Sequence, residues 1–454
     1  MKLVAAGFFV LVSFGAVLAD AQSFQHIVLI VQENRTPDNL FQGLCGPSRK
    51  LCPVPYDLQN FGINKAGNRV ALIETPLGVG YSEDHSHTAF LKQCDLDPAS
   101  NTCRMDGLST AGCPLQCAYA YVNPAGVGPY LTLAQQYGWA NFMFQTNQGP
   151  TMPAHQFLFA GTSADTADDD AQATFVSNNP SDSANSGCLA PLGEVYYLIS
   201  PQSWPQEYQL LNIPLGTFCF SYPTMATLLD NHNPPLSWKY YTSNASSVWT
   251  APNWVREICV PDSNYQQCTG PVWKNVDLNP ADVLTDIGSC KLPNMRWVIP
   301  KGQNSDHPGE AYQHWRAFLG GFDCQRHWRK LVQEFRRQQL LEQHRHLHYL
   351  RRLGRFLLPR AADPFVGAEP GSRRLSIRVS GPVTRCLSLH FVGYVNDARH
   401  DFGSILRFVE HNFGIVRSTL RMHEQKAISP PFSTGISRPD HSSTLPLLWA
   451  QTTS

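Results

Sequence analysis

An α/β fold with a mainly parallel sheet flanked by helices is what this sequence predicts, and three segments carry the prediction. His26 to Val31 (HIVLIV) is an unbroken apolar run rich in β-branched residues, the pattern of a strand covered on both faces of a sheet. Thr224 to Asn231 (TMATLLDN) reads as a short helix and Leu236 to Tyr241 (LSWKYY) as the strand after it. Met295 to Ile299 (MRWVI) is a further strand. Helices alternating with apolar strands are the signature of α/β layering. The polar residues Gln32, Glu33 and Asn34 follow the first strand directly, at the carboxyl end where open α/β sheets place their ligands.

The rest of the chain fits a folded, exported protein. Its 454 residues are 43% hydrophobic and 15% charged, which excludes a disordered tail. Its formal net charge of zero argues against a protein that binds polyanions through its whole surface. Residues 1–21 (MKLVAAGFFVLVSFGAVLADA) have a Lys, an apolar run and a small-x-small site, as a secretory signal peptide does. The expected address is therefore secreted or periplasmic, with no transmembrane segment and one large domain over residues 22–454. Thirteen cysteines suit an oxidising compartment. Close pairs (Cys45 and Cys52, Cys94 and Cys103, Cys113 and Cys117, Cys259 and Cys268) point to short-loop disulfides rather than zinc. The Gly/Pro/Ser/Asn-rich stretch Ser163 to Ser186 reads as a loop.

Five ordered motifs between His26 and Ile415 closely resemble a known family. They are HIVLIVQENRTPDNLFQGL (His26 to Leu44), DHSHTAF with MDG (Asp84 to Phe90, Met105 to Gly107), NQGPTMPAHQFLFAGTS (Asn147 to Ser163), NSDHPGE (Asn304 to Glu310) and HDFGSILRFVEHNFGI (His400 to Ile415). The family is that of the secreted phosphoesterases, which includes bacterial phospholipases C and related acid phosphatases. The resemblance implies an alkaline-phosphatase-like fold and hydrolysis of a phosphate ester assisted by a divalent metal ion of unknown identity. It implies Glu33, Asn34 and Thr151 as metal ligands, with Thr151 also the nucleophile that attacks phosphorus. It also implies His87 and His307 as catalytic groups at the phosphate oxygens or the leaving group, with His85 the competing histidine of the same motif. The expected partner is the ester itself, a phosphomonoester or a phosphodiester such as a phospholipid head group, and no nucleic acid. The sequon Asn34-Arg35-Thr36 is discounted as a glycosylation site, because a metal ligand at a strand end is a poor acceptor.

The pattern breaks between the fourth and fifth motifs, where the family has a buried strand ending in an aspartate pair. Instead, Cys324 to His390 holds 14 of the 35 basic residues and four acidic ones, a local balance of +10 against −10 for the remainder. One reading is a basic amphipathic element, residues 326–360, that binds anionic membrane or nucleic acid in a non-catalytic protein. A frameshift explains more. Leu341 to Phe356 (LEQHRHLHYLRRLGRF) can be encoded so that reading one base later gives WSNTAIFITCDDWGG, the missing strand and aspartate pair. Residues 324–391 are thus read as an out-of-frame segment. The chain as written is expected to fold poorly and to lack activity. Asp306, Asp323 and Asp401 are nearby acids to which the role of the lost pair is not transferred.

Overall fold

The computed structural model describes residues 24–45, 58–79, 84–100, 102–112, 118–191, 193–210, 219–289, 291–308 and 393–415. The expected signal peptide (residues 1–21), residues 324–391 and Asp323 lie outside these residues, as do Cys52, Cys113 and Cys117.

The chain folds as a mixed α/β structure around a small parallel sheet. Its strands run in the order Ile27–Ile30, Met295–Val298, Trp238–Tyr241, Val276–Asp277. Ile27, Met295 and Trp238 lie in register, as do Ile30, Val298 and Tyr241, so the carboxyl ends of three parallel strands share one rim. Side chains alternate between the faces of a strand. Met295, Trp297, Trp238 and Tyr240 accordingly join one core with Met152 and Phe159 of the helix Thr151–Ala160 and with Leu406 and Val409 of the helix Phe402–Phe413. Val298 and Tyr241 face the other way, onto Val283 and Ile287 of the helix Asp282–Gly288.

Three of the expected elements form where the sequence puts them. Thr224 caps the helix Met225–Asp230 through a capping box with Thr227, and the strands Trp238–Tyr241 and Met295–Val298 follow. The first strand differs from expectation: Ile27–Ile30 is half-buried along its length rather than sealed on both faces. Among the described strands it has a hydrogen-bonded neighbour on one side only.

The stretch Ser163 to Ser186 is not all loop. Thr166 accepts from the Asp169 amide and starts the short helix Ala167–Ala171. Phe175–Val176 then pairs with Tyr196–Ile199, which also pairs with Tyr208–Leu210 in an antiparallel sheet. Separately, Gly138–Met143 pairs in parallel with Tyr394–His400, and Asp401 caps the helix that follows through a box with Ser404.

Disulfides join Cys94 to Cys103 and Cys259 to Cys268, as the spacing suggested, and Cys188 to Cys219, which it did not. Among the described residues no helix is long and apolar enough to cross a membrane.

Candidate active site

Two neighbouring parallel strands deliver the first group of polar residues to the sheet rim. The Glu33 amide, just past the first strand, donates to the Ser305 carbonyl at 2.7 Å, which lies just past the strand Met295–Val298. Asn34 and Asp306 both take left-handed backbone conformations, with φ of 60° and 62°. Each costs a non-glycine residue about 1 kcal/mol or more, and such strain persists only where surroundings enforce it. The enforcement here is Arg35, whose Nε donates to the Asp306 carbonyl at 3.0 Å and Nη2 to the Leu77 carbonyl at 2.8 Å. The Asp306 carboxylate accepts from the Tyr130 hydroxyl at 2.5 Å; burial raises its pKa, while Tyr130 and Arg35 oppose the rise. Asp306 is thus occupied by a structural partner, and Asp401 by its helix cap.

Thr151 opens the helix Thr151–Ala160 and is buried. Its hydroxyl has no hydrogen-bond partner among the described residues. The turn before it is pinned on several sides. Asn147 Nδ2 donates to the Gly149 carbonyl at 2.6 Å, and the Met152 amide donates to Asn179 Oδ1 at 2.8 Å. Gly149 packs so closely that a Cβ there would stand 1.8 Å from the Ser177 carbonyl oxygen, so only glycine fits. A hydroxyl at a helix N-terminus sits in the positive end of the helix dipole, a favourable place for a phosphate or a developing oxyanion.

One turn further along the same helix, His155 Nε2 meets Glu33 Oε1 at 2.5 Å, with both side chains buried. Residues four apart share a helix face, so this contact brings Glu33 beneath the face that carries Thr151. Tyr240 approaches His155 Nδ1 at 3.5 Å while its hydroxyl donates to the Trp249 carbonyl at 2.8 Å. Burial, and more weakly the charge of Glu33, push the Tyr240 pKa up. His155 was missed in the sequence; its spacing from Thr151 was the available signal, but its partner lies 122 residues away.

Glu33 Oε2 is buried without a partner, the kind of atom a bound cation would satisfy. The other expected ligands are neutral, the exposed Asn34 amide and the Thr151 hydroxyl. Among the described residues no three His, Cys, Asp or Glu side chains converge as a metal site. One carboxylate falls short of the ligand charge that holds a hard divalent cation.

The histidines fall in two places. His307 lies 6.4 Å from His85, ring centre to ring centre and edge-on, and its Nδ1 is 3.1 Å from the Pro308 carbonyl. His87 is fully buried, with Nδ1 2.8 Å from the Gln148 carbonyl and Nε2 2.9 Å from the Pro205 carbonyl. The fold therefore joins Glu33 to the Thr151 helix and His307 to His85, and it ties His87 to the turn before Thr151.

Residues 24–319, well over half the chain, match the model of the Phosphoesterase family. The chain belongs to that family. Among curated proteins none matches it. Family membership brings hydrolysis of phosphate esters as the general activity, and the matched span contains Glu33, Asn34, His85, His87, Thr151, His155 and His307.

Proposed function

We propose that this phosphoesterase is a secreted hydrolase of the phospholipase C or acid phosphatase type, with an alkaline-phosphatase-like fold and Thr151 as nucleophile. The observation that carries the reading is the Thr151 hydroxyl at a helix N-terminus, without a hydrogen-bond partner among the described residues, on the helix whose next turn grips Glu33. In the reaction, Thr151 Oγ1 attacks phosphorus as its proton passes to solvent, the bond to the leaving oxygen breaks, and a phosphothreonine forms. Water then attacks that phosphorus, the bond to Thr151 Oγ1 breaks, the phosphoryl group leaves on the water oxygen, and Oγ1 takes back a proton. A histidine at the phosphate protonates the leaving oxygen. Glu33, Asn34 and Thr151 are the residues that would hold a divalent ion, which when bound neutralises phosphate charge and lowers the pKa of the attacking hydroxyl.

In the chain as written this machinery is impaired. The single carboxylate that the described residues bring to the site and the end of the family match at residue 319, just before the basic block, support a displaced reading frame over residues 324–391. The rival reading, an anion-binding protein, rests on residues 326–360, which lie outside the described residues. Signal-peptide composition and disulfides support export.

The test is turnover of a small aryl phosphate and of phosphatidylcholine vesicles, with and without divalent cations, using the chain as written and a version with the frame restored. The restored form is expected to be active on at least one substrate, and Thr151→Ala in it to lower turnover about a thousandfold or more. Unchanged turnover in Thr151→Ala would remove Thr151 as nucleophile.

A further inference from the structure

His87 and His85 stand two residues apart in one motif, yet their surroundings could hardly differ more. Ser86 caps the helix His87–Cys94 by accepting from the Ala89 amide at 3.2 Å, which turns its two neighbours in different directions. His85, before the cap, is exposed and stands edge-on to His307. His87, after it, is fully enclosed, with the Phe90 ring stacked at 6.1 Å. Each His87 nitrogen faces a main-chain carbonyl. A neutral imidazole carries one N–H, so the ring donates to one of these carbonyls and packs its other nitrogen against the second.

Those carbonyls belong to two separate loops. Gln148 immediately precedes Gly149, Pro150 and Thr151, while Pro205 lies beyond the strand Tyr196–Ile199. The loops are joined a second time, because Trp204 Nε1 donates to Gln148 Oε1 at 3.0 Å. His87 is therefore wedged between the turn that precedes Thr151 and the loop behind it.

We propose that the two histidines divide the work: His87 is a positioning residue that clasps the Gln148–Thr151 turn, and His85, paired with His307, is the one that faces the phosphate. The proposal rests on the phosphoesterase reading for its second half, whereas the clasp depends on geometry alone. His87 has no ring nitrogen left to offer a phosphate oxygen, and its enclosure keeps substrate away. His85 has the exposure and the neighbour that such a contact needs.

The test uses the full chain, labelled with ¹⁵N in histidine and ¹³C in the threonine methyl, with inorganic phosphate as the probe. The unaltered chain is expected to have one histidine whose ring N–H proton exchanges slowly with water, and His87→Gln to lose that signal. His87→Gln should also move the Thr151 methyl resonance while leaving that of Thr227, in a remote helix cap, in place. A merely structural loss would disturb both. In the frame-restored chain, phosphate affinity should fall about fivefold or more in His85→Ala and about twofold or less in His87→Gln. Should His87→Gln fail to fold, Trp204→Phe removes only the second tie, and it should speed His87 ring-proton exchange and move the Thr151 methyl. A freely exchanging His87 ring proton in the unaltered chain overturns the clasp. Phosphate affinity lost in His87→Gln but kept in His85→Ala overturns the division of roles. If the frame-restored chain binds no phosphate, the functional reading fails and takes the His85 half with it, while the ring proton of His87 still decides the clasp.

Discussion

The two faces of the parallel sheet are built on different principles. One is aromatic: Phe159 packs edge-on against Trp297 at 5.1 Å and Tyr240 at 5.7 Å, and Trp238 meets Trp297 at 6.3 Å. The other carries charge. Lys239 Nζ contacts Asp277 and Asp286 at 2.9 Å each, Tyr241 donates to Asp286 at 2.6 Å, and Arg296 is fully buried with Nε and Nη1 lacking partners. The Thr151–Ala160 helix, with His155 and Thr151, sits on the aromatic face. The proposed nucleophile, Thr151, would have to be held closely, and interlocked rings supply that rigidity without desolvating charge. The candidate site is stiffened from below by apolar packing, while the far face tolerates imperfect electrostatics.

The largest expected effect comes from breaking the aromatic face. Trp297→Ala should cost about 3–5 kcal/mol by urea unfolding, because the large cavity it leaves can close only partly. A loss under about 1 kcal/mol would mean the face is not the support described.

The charged face should respond in the opposite sense. Burial lowers the Arg296 pKa to about 10, although Tyr241 and Asp286 favour its charge. Replacing a poorly satisfied buried cation by an apolar chain of similar length removes its desolvation cost. Arg296→Met should therefore be neutral or stabilising by about 1 kcal/mol in the same measurement. A large destabilisation would make Arg296 an anchor of the sheet and erase the contrast.

A smaller effect tests the margin of the aromatic core. Asp165 is raised from 3.8 to about 6, first by burial and then by Asp169, against the pull of Arg256. The native state thus holds this proton more tightly than the unfolded chain does. Its contribution is full below pH 3.8 and is lost as pH climbs toward 6. Asp165→Asn should consequently be more stable than the parent at neutral pH by about 1 kcal/mol, after allowance for solvent screening, and the gain should vanish near pH 3.8. A pH-independent difference would contradict the assignment.

Much of the sheet was legible because its strands are locally explicit. HIVLIV, LSWKYY and MRWVI are apolar enough to be read alone, and TMATLLDN carries its own cap in Thr224. The strand Tyr394–His400 (YVNDARH) is polar and needs its partner Gly138–Met143 to exist. The helix at Ala167–Ala171 did have a signal, Thr166 three residues before Asp169, but its setting of small and polar residues reads as loop. In the site, Glu33 and Thr151 were visible through motifs. What joins them was not, since the Glu33 to His155 contact and the enclosure of His87 depend on chain segments brought together from far apart.

The most direct test is a paired assay. The gene is resequenced between the codons for Gly309 and His400, and the chain as written and the frame-restored chain are incubated with an aryl phosphate, acid-quenched and mapped for phosphothreonine. The restored chain should turn over substrate and carry the phosphoryl group on Thr151, with the chain as written slower by about a hundredfold or more. Equal turnover by the two chains, or a phosphoryl group found on any other residue, would contradict the account.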